Sequence, residues 1–141
     1  MALSSHSNRL SEQALLSLSQ YDLIERSRKG ISWRTFSGFR KNSPFNDAEW
    51  SHILSISPRT LQRYNEEKKT FDATSSERIL LMMQFIEKGK AVFGSSEKFR
   101  LWLDLPNTAL GGKSPRDFLD TTTGLQLMQE ELGRIEYGVF A

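Results

Sequence analysis

The sequence contains no cysteine. That removes disulfides, thiolate metal sites and cysteine nucleophiles together. Histidine is almost as scarce: His6 and His52 stand alone, without the paired Asp, Glu or Cys spacing that a metal site needs. No stretch approaches the roughly 18 apolar residues required to cross a bilayer. Glu12, Gln13 and several serines interrupt the N-terminal region where a secretion signal would carry its apolar core. The expected location is therefore the cytoplasm. No strand, internal repeat or low-complexity tract stands out. Disorder is not expected either, because 38% of the 141 residues are hydrophobic and only 26% charged. A chain of this length can bury a real core.

What the sequence does have is a mild charge asymmetry under a net charge of +2. Residues 1–70 hold eleven Lys/Arg against seven Asp/Glu, whereas residues 71–141 hold eight against ten. A basic front suits contact with phosphate, and an acidic back suits a different partner.

Apolar spacing is helical nearly throughout, so the fold class is all-α. Residues 1–10 read as a frayed tail. Ala14, Leu15 and Leu18 share a face, and a segment from Leu23 and Ile24 stops at Gly30. Ser32 can cap a helix carrying Trp33, Phe36, Phe39 and Arg40, which Asn42-Ser43-Pro44 breaks. Asn46 or Asp47 caps the next, with Ala48, Trp50, Ile53 and Leu54. Thr74-x-x-Glu77 suggests a capping box for a long helix through Ile79, Leu80, Met83, Ile86 and Phe93. Its apolar surplus over residues 76–93 is the expected dimer contact. Ser95 or Ser96 opens a helix ending in Leu101-Trp102-Leu103 before Pro106, and Ser114-Pro115 starts a short one through Phe118 and Leu119. The last helix has Leu125, Met128, Leu132 and Ile135 in register, and Gly138 closes it. Trp33, Trp50 and Trp102 fall at core positions, and Met82 and Met83 read as filler there or at a dimer interface.

Residues 47–64 have the form of a helix-turn-helix. DAEWSHIL is followed by the turn Ser55-Ile56-Ser57 and then by PRTLQRY, with Pro58 at the first helical position. The turn lacks the glycine often found there. Leu61 and Tyr64 should point inward, which leaves Ser57, Arg59, Thr60, Gln62 and Arg63 toward DNA. Arg suits guanine and Gln suits adenine in the major groove. Arg40, Lys41, Lys68 and Lys69 flank the unit as phosphate contacts. A helical hairpin with a basic outer face is the plainer explanation of the same pattern.

The loop from Asn107 to Lys113 holds the only Gly-Gly pair. Gly112-Lys113-Ser114 ends like a phosphate-binding loop, but the required glycine five residues earlier is Asn107. Asp117 and Asp120 suit helix-start charges better than an acid/base pair. Neither a catalytic residue nor a cofactor is expected, and the chain does not read as an enzyme.

Forty residues of the second half carry a more specific pattern. In order they are Trp102-Leu103, Pro106-Asn107, Leu110-Gly111-Gly112, Pro115, Leu119, Thr121, Gly124, Leu132-Gly133-Arg134-Ile135 and Tyr137-Gly138-Val139. This segment resembles the toxin-binding domain of the Xre/MbcA/ParS antitoxin family, and the upstream SPRTLQRY unit resembles its Xre-like part. The resemblance runs from about residue 22 to the end. It implies a protein that dimerises, represses its own operon through the N-terminal half, and covers a toxin with the C-terminal half. The toxin would be of RES-domain or related ADP-ribosyltransferase-like type, drawing on NAD, with the antitoxin's last residues reaching its active-site cleft. Members often have His before Gly-Val, where this chain has Tyr137.

The domains expected are a tail and short helix over 1–20, an Xre-like helix-turn-helix over 21–72, and a toxin-binding and dimerisation region over 73–141. Toxin contact is expected from Trp102, Asn107, Leu110, Gly111, Gly112, Pro115, Arg134, Tyr137, Gly138, Val139 and Phe140. A plain helix-turn-helix regulator with a C-terminal dimerisation region is the rival reading.

Overall fold

Each helix start is fixed by a short polar side chain. The computed structural model describes residues 14–138. After a helical turn over 14–16, α1 spans Gln20–Lys29, with the Ser19 side chain accepting from the Asp22 amide. α2 (Trp33–Lys41) is capped by Ser32, and α3 (Asp47–Ile53) by Asn46, which exchanges hydrogen bonds with Glu49 in a full capping box. α4 (Pro58–Glu67) begins behind Ser57 with Pro58 at its first position. α5 (Ala73–Phe93), α6 (Ser96–Asp104) and α7 (Thr122–Glu136) complete the helices, with 3-10 turns at Thr108–Leu110 and Pro115–Phe118 between the last two. The protein is all-α, as expected, and only isolated bridges pair extended segments among the described residues.

One of those bridges moves a predicted boundary. Phe71 donates its amide to the Ile31 carbonyl at 2.9 Å, and Trp33 donates to the Lys69 carbonyl at 3.2 Å. The pairing holds the chain extended through Phe71. The first residue free to cap is then Asp72, whose carboxylate accepts from the Ser75 amide at 2.8 Å. Thr74 therefore lies inside α5, and the predicted Thr74–Glu77 box is replaced by an Asp72 cap.

α5 is the spine. It packs along α1 on one side and against α6 and α7 on others, burying Ile79, Leu80, Met82, Met83, Phe85 and Ile86. Burial of this kind contributes roughly 1.5–3 kcal/mol per large side chain. It also corrects the expected dimer contact: none of the large hydrophobics exposed among the described residues lies on α5. The chain itself uses the surplus.

Two aromatic clusters flank the spine. Phe36 meets Trp50 edge-on at 5.2 Å and Phe71 at 5.1 Å, with Trp33 alongside. Phe85, Phe93, Phe99 and Trp102 form the second. This cluster depends on a glycine. A Cβ on Gly89 would lie 2.1 Å from the Phe99 ring, so only glycine lets α6 approach α5 this closely. In α7, Leu125, Met128 and Leu132 are buried and Ile135 half-buried. No helix of the described residues is long and apolar enough to cross a membrane.

Candidate functional site

α3 and α4 meet through a sharp turn in which Ser55 takes φ +56°. This is the left-handed conformation that glycine ordinarily supplies. The missing glycine is thus replaced by a serine in the same conformation. Ile56 plugs the corner against the core, and Leu61 is buried. Tyr64 lies 4.8 Å from the Phe71 ring. The outer face of α4 exposes Ser57, Arg59, Gln62 and Arg63, with Thr60 half-buried, and a groove along it is lined by Arg59, Thr60, Gln62, Arg63 and Glu66.

The charges around this face are unequal. Arg63 and Lys69 both pair with Glu67, at 3.8 and 3.6 Å, and Lys68 donates to Asn65. Arg40 does not fit its predicted role as a phosphate contact. Its guanidinium pairs with Asp47 at 2.7 Å, lies 5.1 Å from the Trp33 ring centroid, and is mostly buried. It is a structural cation bridging α2 and α3. Lys41, Lys68 and Lys69 remain exposed.

In the second half, Asn107 organises the loop. Its side chain accepts from the Ala109 amide at 2.8 Å. Its carbonyl accepts from Leu110 and Gly112 at 3.0 Å each, and its own amide donates to the Lys113 carbonyl at 3.0 Å. Gly111 and Gly112 adopt φ of +70° and +83° and face open space. The Gly-Gly segment is thereby closed into a small outward loop, with Leu110 resting on the core. The amides of Gly111, Gly112 and Lys113 all bond within the loop. None is left to cradle a phosphate, so the likeness of Gly112-Lys113-Ser114 to a nucleotide-binding loop ends with the letters.

The remaining residues assigned to the toxin are scattered. Trp102 is half-buried in the second aromatic cluster. Pro115 is buried, so its side chain is not available for contact; its fixed φ starts the 3-10 turn. Arg134 is exposed and paired with Glu131, whose carboxylate holds the guanidinium pKa above its ordinary value. Tyr137 is 81% exposed. Gly138 adopts φ +62° just beyond α7, and Val139 and Phe140 lie outside the described residues. α7 places Tyr137 about 24 Å along its axis from the Thr121 cap. No hydrogen bond, ion pair or ring contact joins the Asn107–Lys113 loop to Trp102, Arg134 or Tyr137 among the described residues.

Sequence reasoning missed two arginines that join the halves. Arg78 in α5 is only 8% exposed. It donates to the carbonyls of Ile53 and Leu119 at 2.8 Å each and to the Thr122 hydroxyl at 2.9 Å. Burial pushes its pKa down, against the opposing pull of Asp120 and Glu77. The signal was in the register, since Arg78 shares a helical stripe with the buried Met82, Phe85 and Gly89. Arg116 donates to Asp104 at 2.7 Å and to Glu49 at 2.5 Å, with its guanidinium 4.9 Å from the Phe45 ring centroid. Asp117 caps its own turn by accepting from Ser114, and Asp120 stands 3.4 Å from His52. These are structural roles for both carboxylates.

Residues 22–84 match the antitoxin Xre-like helix-turn-helix domain, and residues 88–138 match the antitoxin Xre/MbcA/ParS C-terminal toxin-binding domain. An antitoxin Xre of Yersinia enterocolitica is 28% identical over 120 residues, covering 84% of this chain and 81% of the relative. An antitoxin Xre of Photorhabdus laumondii is 30% identical over 98 residues, covering 69% and 66%. A protein of Sphingobium named Prs ADP-ribosylating antitoxin is 26% identical over 138 residues, covering 92% and 87%. A chain from the crystal structure of the M. tuberculosis MbcT–MbcA toxin–antitoxin complex superposes with a TM-score of 0.56 at 18% identity, over 75% of this chain and 94% of that one. The last is a likeness of fold. With the helix-turn-helix and the toxin-binding segment matched in succession along one chain, the protein belongs to the Xre/MbcA/ParS antitoxin family.

Proposed function

We propose that the chain is the cytoplasmic antitoxin of a type II pair, and that it silences a RES-domain, NAD-consuming toxin or a related ADP-ribosyltransferase-like enzyme by steric occlusion. The carrying observation is the end of α7, where Tyr137 is 81% exposed and Gly138 takes a left-handed φ of +62°. Residues that follow this exposed helix end could enter a partner's cleft without α7 unfolding. Ordinary side-chain contacts then suffice, and this chain supplies no chemistry. The name of the Sphingobium relative, an ADP-ribosylating antitoxin, supports a partner that handles ADP-ribose. The loop anchored by Asn107 and the exposed rim of Trp102 would add contact area away from the plug.

The N-terminal half would repress the operon. A homodimer would present two copies of α4 about one DNA turn apart, each reading base edges through Arg59, Gln62 and Arg63. The division of labour assigned here is a DNA-reading part over residues 21–72 and a toxin-binding and dimerising part from residue 73 onward.

Co-expression with the neighbouring reading frame tests the central claim. The expected outcome is a stable complex with normal cellular NAD, and a fall in NAD when residues 138–141 are removed. A chain that forms no complex, yet shifts its own promoter DNA, would instead be a plain helix-turn-helix regulator.

A further inference from the structure

The side of α2 away from α3 carries an open groove of about 670 Å³. Arg26 from α1, Arg34 and Lys41 from α2, and Lys68 from the end of α4 line it, and no carboxylate of the described residues does. None of these four cations forms an ion pair among the described residues. The Nε of Arg26 is shut away from solvent with no hydrogen-bond partner. Around α4 the position is reversed, because Arg63 and Lys69 share Glu67 and Arg40 is paired to Asp47. Six cations among the described residues of this half form no ion pair, and four of them line the groove; the others are Lys29 and, on the helix expected to read bases, Arg59.

Continuity indicates the ligand. Trp33 lines both this groove and the cleft between α2 and α4, where Gln62 also sits. Gln62 in turn lines the groove along α4 with Arg59, Arg63 and Glu66. A long anion lying on α4 would reach the four cations past two carboxylates, Asp47, which Arg40 neutralises, and Glu66, which accepts from Gln62. Trp33 and Leu15, the large apolar residues of the lining, are both buried. Among the described lining residues there is accordingly no exposed ring to stack a free nucleotide base, and no apolar anchor for an acidic peptide. What remains is attraction for a row of phosphates.

We propose that this groove clamps the sugar–phosphate backbone of duplex DNA beside the major groove that α4 enters. The clamp rests on the reading of α4 as the DNA-reading helix. It supplies the sequence-independent share of the affinity, and α4 supplies the discrimination.

The test compares the full chain with the double variant Arg34→Gln/Lys41→Gln, both exposed positions. Binding to a labelled duplex from the chain's own promoter and to a scrambled duplex is followed by fluorescence anisotropy between about 50 and 200 mM salt. The variant should lower affinity for both duplexes by about tenfold or more, and should reduce the slope of log K against log salt by about 2. The ratio between the two duplexes should hold. Arg59→Ala/Gln62→Ala should instead collapse that ratio. A salt slope unchanged in the groove variant, with the ratio still dependent on Arg59 and Gln62, overturns the clamp and leaves α4 as the reader. A variant that binds DNA normally but loses the co-expressed partner gives the groove to an acidic protein surface, which also overturns it. If the unaltered chain binds no duplex, alone or in complex, both readings fall.

Discussion

The Nε of Arg78 donates to the carbonyl oxygen of Ile53 at 2.8 Å, tying the middle of the chain to the last turn of α3. The same guanidinium reaches the Leu119 carbonyl and the Thr122 hydroxyl at the start of α7. One planar fork therefore joins the helix-turn-helix to the toxin-binding segment.

Replacing Arg78 should be costly. Arg78→Met leaves the carbonyls of Ile53 and Leu119 buried without donors, each worth about 1–3 kcal/mol. A loss of about 2–4 kcal/mol is expected, read from the urea midpoint at an unchanged slope. Arg78→Lys should recover little of it, because one ammonium cannot copy three directed N–H donors. A lysine variant as stable as the parent would show that charge, not the fork, matters.

Ser55 offers a test of the turn. Its φ of +56° strains any residue with a Cβ, by about 1–2 kcal/mol. Ser55→Gly should therefore leave stability unchanged or raise it by up to about 1 kcal/mol, the relief being offset by a freer unfolded chain. Ser55→Val should lose about 1–2 kcal/mol, because a branched Cβ is worst tolerated there. Thermal unfolding of the two variants decides the matter. If valine proves harmless, the turn is not held in this conformation.

Much of the fold was legible because its signals are local. Ser32, Ser57-Pro58 and Gly30 each mark a helix end where the sequence placed it. Asp72 escaped because the deciding contact, Phe71 on Ile31, spans forty residues. Arg40 was misassigned for a similar reason: Asp47 and Trp33 capture it only once α2 and α3 pack. The outward face of α4 followed from helical period alone. For the other surface, the segment that binds toxin could be recognised, but not which of its residues are exposed. Burial of Pro115 and the ordering role of Asn107 depend on how the loop closes.

Gly89 is where α5 and α6 come closest. Gly89→Ala would put a methyl group into the Phe99 ring, and overpacking of this kind costs about 1–3 kcal/mol. Phe99→Leu alone should also destabilise, by opening a cavity. Combined, the two losses should be less than additive, because the smaller side chain makes room for the methyl group. Strict additivity in a double-mutant cycle would mean that the two positions do not touch.

Asn107 separates folding from binding in the proposed toxin surface. Its side chain caps the 3-10 turn at the Ala109 amide, an interaction worth about 1 kcal/mol in comparable caps. The loop is exposed and its ends are still joined by backbone hydrogen bonds, so Asn107→Ala should barely move the thermal midpoint. If the toxin grips the loop, complex formation must now supply the order that the side chain used to provide. About 1 kcal/mol of extra ordering corresponds to roughly fivefold weaker binding. Calorimetric titration of the purified toxin, beside a melting curve of the free variant, measures both. Weaker binding at an unchanged midpoint places the loop in the interface, and unchanged binding removes it, leaving the Tyr137 end to carry the contact.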